Sequence, residues 1–132
     1  MTLFVDASAF IAVIAGEPEQ ERFAVALRDE PDLLWSAMAC WETVSGLRLS
    51  YGWAVAQARA EVELVVAQLP FRLVPIGEEE RRVSLDAYVR LGKGSGHPAR
   101  LNMGDCFAYA CAKTNGAKLL YKGDDFAMTD LA

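Results

Sequence analysis

Asp6, Glu42, Asp105 and the pair Asp124-Asp125 are the residues whose types and positions could do chemistry in this chain. Asp6 ends the apolar run Leu3-Phe4-Val5, and Glu42 lies inside a helical pattern. Asp105 stands three residues after Asn102, and Asp124-Asp125 follow the apolar run Leu119-Leu120-Tyr121. Carboxylates brought together repel one another, so a fold that gathers them holds a cation or a proton between them. Oxygen donors without thiolate or imidazole suit a hard ion, Mg²⁺ or Mn²⁺, rather than zinc. Such an ion lowers the pKa of a bound water and polarises a phosphoryl oxygen, which makes phosphodiester hydrolysis the chemistry to expect. With water as the nucleophile, RNA and DNA are not distinguished.

Each acid also has an ordinary alternative. Asp6 can N-cap the helix that follows it. Asp105 fits the third position of a capping box opened by Asn102. Gly123-Asp124-Asp125 is turn chemistry. Glu42 has Met38 at i−4 and Leu49 at i+7, which puts it on an inward stripe where an arginine could be its partner.

Other chemistries are removed by composition. His97 is the only histidine of the 132 residues, which excludes His–Cys zinc sites, a His-paired nucleophile and a two-histidine ribonuclease. Cys40, Cys106 and Cys111 lack CxxC spacing and read as reduced core thiols. The 53% hydrophobic content fits one packed domain over residues 1–132. No apolar run approaches a membrane span, and the opening Met1-Thr2-Leu3-Phe4-Val5-Asp6 has no basic leader, so a cytoplasmic location is expected. The net charge of −5 is unevenly spread: residues 1–80 are strongly acidic, whereas residues 81–132 are net basic. A basic surround for an acidic centre suits a phosphate ligand held through a metal ion.

The elements that must position these acids alternate between strand and helix. Leu3–Val5, Leu33–Trp35, Phe71–Val74 and Lys118–Tyr121 are predicted strands. Helices are predicted after Asp6 to Gly16, from Pro18 to about Arg28, over 37–49 behind the cap Ser36, over 53–69, over 78–91, and from Asn102 to about Asn115. Alternation of this kind predicts an α/β fold with a parallel sheet, whose functional residues gather beyond the carboxyl ends of the strands. Asp6 and Asp124-Asp125 then share one rim.

The segments Val5-Asp6-Ala7-Ser8-Ala9, Ser36 to Glu42, "GSGHPARLNMGDCFAYACAK" and "LLYKGDDFAMTD" resemble the PIN-domain ribonucleases, closely the VapC toxins of VapBC toxin–antitoxin pairs, over essentially the whole chain. The resemblance implies a three-layer α/β/α sandwich with a central, mainly parallel sheet of about four to five strands. It also implies a Mg²⁺- or Mn²⁺-dependent endoribonuclease, a homodimer, and a VapB antitoxin that enters the active-site groove and builds a larger complex. By position it assigns metal ligation and catalysis to Asp6, Glu42, Asp105 and one late acid, with Ser8 orienting the site and Asn102 supporting it. The family pattern Thr-x-Asp-x-Asp-Phe meets Gly123 where its first acid belongs. Asp124 is therefore assigned the metal-facing role and Asp125 a structural one. Trp35, Trp41 and Trp53 read as core, or else as a groove for an antitoxin or a second copy.

Arg90, Lys93, His97, Arg100 and Lys122 are the candidates for RNA-backbone contacts around the acidic centre. Two rival readings remain open. One is a non-catalytic module that binds an antitoxin or nucleic acid. The other is an aspartyl-phosphate phosphotransferase with Asp6 as nucleophile, which lacks an acid at position 8 and a lysine at a later strand end.

Overall fold

Four apolar runs too short for helices become four strands, and the longer amphipathic stretches between them become six helices. The computed structural model describes residues 1–132. In chain order the elements are β1 (Thr2–Val5), α1 (Ala7–Ala15), α2 (Gln20–Asp29), β2 (Asp32–Trp35), α3 (Ala37–Tyr51), α4 (Val55–Gln68), β3 (Phe71–Leu73), α5 (Glu78–Leu91), α6 (Met103–Thr114) and β4 (Lys118–Leu120). The strands form one sheet in the order β3-β2-β1-β4. Every pairing is parallel, with Leu3 opposite Leu33 and Lys118, and Leu33 opposite Phe71. Because all four strands run the same way, their carboxyl ends make a single rim.

Side chains alternate across the sheet as the pleat requires. Phe4, Leu34 and Leu119 face one apolar cluster, built with α5, α6 and the start of α3. Leu3, Val5, Leu33, Trp35 and Leu120 face another, built with α1, α2 and α4. The result is the expected α/β/α sandwich, wholly parallel and with four strands.

Local chemistry sets the ends of the elements. Ser36 Oγ accepts from Ala39 N at 3.1 Å and starts α3. Gly16 and Gly52 close α1 and α3 with left-handed φ values of 73° and 69°, which a residue with a β-carbon adopts reluctantly. The tryptophans divide: Trp35 packs with Phe10 and Phe71, whereas Trp41 is 68% exposed and leaves the core reading unsupported there. The inward stripe of α3 also differs from the expected one. Ala39, Thr43 and Leu47 are buried, but Leu49 is exposed because the last turn of α3 runs out beyond the core. All three cysteines are free thiols, as expected. No helix is long and apolar enough to cross a membrane.

After β4 the chain is pinned in two places. Phe126 is buried and meets the Tyr121 ring edge-on, with centroids 5.2 Å apart. Asp130 accepts from the Tyr109 hydroxyl at 2.7 Å and pairs with Lys113. Phe126→Ala is expected to lower the unfolding free energy by about 3–5 kcal/mol, the usual cost of emptying a buried phenylalanine site. Leu49→Ala, on the exposed turn, should change it by less than about 0.5 kcal/mol. Urea denaturation of both variants checks the contrast.

Candidate active site

The rim at the strand carboxyl ends is where the acids meet. Asp6 leaves β1 with its N–H donated to Leu120 O at 3.0 Å, so the exits of β1 and β4 are tied together. Asp6 is the N-cap of α1, and its Oδ2 accepts from Ser8 N at 3.0 Å and from Ser8 Oγ at 2.6 Å. Ser8 Oγ in turn accepts from Lys122 N at 2.9 Å. Asp105 forms the expected capping box: Asn102 N donates to Asp105 Oδ2 at 3.0 Å and Asp105 N donates to Asn102 Oδ1 at 2.9 Å. Capping and a place in the site are therefore not alternatives. In both aspartates one oxygen serves the cap and Oδ1 is left out of it.

Glu42 arrives from α3 and crosses to the first turn of α6. Its carboxylate lies directly over Gly104, where a β-carbon would overlap it. Glycine is a poor helix former, so its presence between Asn102 and Asp105 is the sequence signal of this close approach. Gly104 is the site residue that spacing alone did not reveal. No arginine pairs with Glu42: its charged neighbours are Asp6 and Asp105.

Asp6, Glu42, Asp105 and Asp125 line one cleft of about 190 Å³, with Ser8 and Lys122 on its wall. The late acid that lines the cleft is Asp125, whereas Asp124, the residue expected there, does not line it. With Gly123 at φ 95°, the chain turns so that Asp124 stays out of the cleft lining and its carbonyl accepts from Ala127 N at 3.1 Å; both acids are exposed. Asp125 is left beside the buried Phe126, facing Asp6 and Asp105.

Burial is the largest influence on the carboxyl groups and raises all three of the inner ones. Glu42 is pushed up to about 7 by burial and then by the charges of Asp6 and Asp105. Asp105 is also pushed up to about 7, by burial first, against the Asn102 backbone N–H, and then by Asp125 and Asp6. Asp6 is raised by burial against the hydrogen bonds from Ser8. No cationic group offsets any of the three. No three of the acids stand close enough together to form a ready-made coordination shell. The donor set, all oxygen and short of positive charge, fits a hard divalent cation.

The basic candidates are placed differently from one another. Lys122 reaches the cleft wall, but its Nζ pairs with Glu17 at 2.9 Å and Glu19 at 3.4 Å. It does follow the last strand, yet its ammonium turns to those glutamates and away from Asp6. Lys93 lies with Asn102 and Met103 in a neighbouring cavity. Arg100 is exposed at φ 51°, and His97 Nδ1 accepts from Ala99 N at 3.0 Å, which makes the imidazole part of its own loop. Arg90 lies apart, in a hollow with Tyr109 and Lys113.

The PIN domain family profile matches residues 3–131. A VapC ribonuclease of Rhizobium meliloti is 37% identical over 97% of this chain and 98% of its own. Among solved structures, VapC20 of Mycobacterium tuberculosis, described as a sarcin-ricin-loop-cleaving toxin, superposes with a TM-score of 0.73 at 21% identity, covering 96% of this chain and 93% of that one. VapBC2 of Rickettsia felis, solved on a DNA fragment from its promoter, gives 0.73 at 11% identity, with 99% and 95% covered.

Two outcomes follow from the geometry and the raised pKa values. In Gly104→Ala the new methyl should drive the flexible Glu42 carboxylate out of the cleft at a stability change of about 1 kcal/mol or less, because alanine favours the helix. A carbon-13 NMR titration should then show the Glu42 pKa falling from about 7 towards 4.5. In chelator, the protonated forms of Glu42 and Asp105 favour the folded state. That contribution is complete below their ordinary values of 4.5 and 3.8 and is lost as pH rises through about 7. The melting temperature should therefore fall between pH 5 and 8, and Glu42→Gln with Asp105→Asn should flatten the fall.

Proposed function

We propose that this chain, which belongs to the PIN domain family, is the VapC-type ribonuclease toxin of a toxin–antitoxin pair and hydrolyses RNA phosphodiester bonds with Mg²⁺ or Mn²⁺. The observation that carries the proposal is the convergence of four carboxylates from four separate segments on one cleft. Near-full-length similarity to a VapC ribonuclease supports it.

Asp6, Glu42, Asp105 and Asp125 would hold the cation. Bound there, it supplies a water of lowered pKa and neutralises charge on the phosphoryl oxygens. The chain does the positioning. Ser8 fixes Asp6 through two hydrogen bonds, and Asn102 fixes Asp105 through the capping box. Glu42 is in no backbone cap, and its ionised carboxylate would accept, at one Oε, the proton given up by the attacking water. The N-terminus of α6 points its partial positive charge at the same place.

Lys93 and Arg100, on the exposed loop before α6, are the cations best free to meet an RNA backbone. A VapB-type antitoxin is the proposed inhibitor, supported by the VapBC composition of the Rickettsia felis neighbour. A homodimer is proposed on the exposed apolar side chains of α5 and α6, Leu85, Tyr88, Val89 and Met103.

The test is cleavage of a structured RNA pool by antitoxin-free protein. Cutting should require Mg²⁺ or Mn²⁺ and stop with chelator. It should fall at least about 100-fold in Asp6→Asn and in Asp105→Asn, which remain folded because an amide still caps a helix. Cutting that survives chelator and both substitutions would overturn the proposal.

A further inference from the structure

Lys122 raises a question that its charge alone does not answer. It lines the same cleft as four carboxylates, yet its ammonium does not offset the raised pKa of Asp6, Glu42 or Asp105. A flexible side chain with a point charge beside uncompensated acids should turn towards them. It is held elsewhere: Nζ donates to Glu17 Oε1 at 2.9 Å and stands 3.4 Å from Glu19 Oε1. Glu17 is itself fixed, because the Tyr51 hydroxyl at the end of α3 donates to its other carboxylate oxygen. Glu19 Oε1 is buried and has no hydrogen-bond donor, so the Lys122 ammonium is its compensating charge. Glu17 and Glu19 are half-buried, on the turn between α1 and α2.

We propose that Glu17 and Glu19 are positioning residues that restrain the Lys122 ammonium and so keep the cleft open to a divalent cation. The inference rests on the cation site proposed above. Without the two glutamate charges, the lysine is the nearest positive group able to fold over the carboxylates. It then takes up the charge deficit that the cation would fill. Lys122 is on this account an internal competitor for the site, and its contribution to the rim in the folded protein is its backbone: the N–H that holds Ser8 Oγ.

The test measures Mn²⁺ binding to the full chain by calorimetry, without RNA. Glu17→Gln/Glu19→Gln keeps the side-chain volumes and leaves an acceptor for Tyr51. It should weaken Mn²⁺ binding roughly tenfold, the scale of losing an outer partner of a metal site. Adding Lys122→Met, which removes the competitor and keeps the backbone donor to Ser8, should restore the affinity to within about twofold of the starting protein. Unchanged affinity in the double variant, with the circular dichroism of the parent, would overturn the proposal. So would weakened binding that Lys122→Met fails to restore, because the glutamates would then act on the site without the lysine. Absence of Mn²⁺ binding in the parent chain is a separate result: it would overturn the cation site itself.

Discussion

Repulsion between half-buried carboxylates is the constraint on which this molecule turns. Asp6, Glu42 and Asp105 sit where water is partly excluded and where no cation from the protein compensates them, and the exposed Asp125 lines the same cleft. Such a group of acids is costly to hold together, and the surrounding fold is arranged to bear that cost. A hydrophobic sheet buried on both faces provides rigidity, and Asp6 and Asp105 are each fastened by a local cap. The serine and asparagine contacts serve two ends at once, since the hydrogen bonds that start α1 and α6 also orient the carboxylates.

Much of this can be read directly from residue order. Asp6 after Leu3-Phe4-Val5, and Asn102 three before Asp105, announce both the caps and the rim, because capping is governed by contacts within a few residues. The parallel sheet follows from strict alternation of short apolar runs and longer amphipathic ones. What resisted reading depends on contacts between distant segments. The choice between Asp124 and Asp125 is made by the turn at Gly123 and by where Phe126 finds a cavity. The partner of Glu42 is a missing β-carbon on another helix, and the helical stripe used to turn Glu42 inward included Leu49, which lies past the edge of the core. The glutamate partners of Lys122 lie more than a hundred residues earlier, so residue order does not show its ion pairs.

The sign of local charge shows the same dependence on tertiary contact. The later part of the chain is basic in composition, yet its cations are used unequally. Lys113 is paired with Asp130, Lys122 with Glu17 and Glu19, and Arg90 lies beside Tyr109, which leaves Lys93 and Arg100 as the free charges near the start of α6. Composition names more cations than stand free of carboxylate partners near the rim. A polyanion approaching this rim meets a narrower basic edge than the residue count suggests.

The hydrogen bond from Asp6 N to Leu120 O joins the first strand of the sheet to the last one. Two of the four acids lie just beyond those strands, at opposite ends of the chain's order of synthesis. A nascent polypeptide can lay down β1, β2 and β3 in turn, but the cleft has no fourth wall until β4 has been made and has inserted beside β1. The proposed site is therefore complete only once the segment that carries Asp105, β4 and Asp125 has been made and has folded back onto β1.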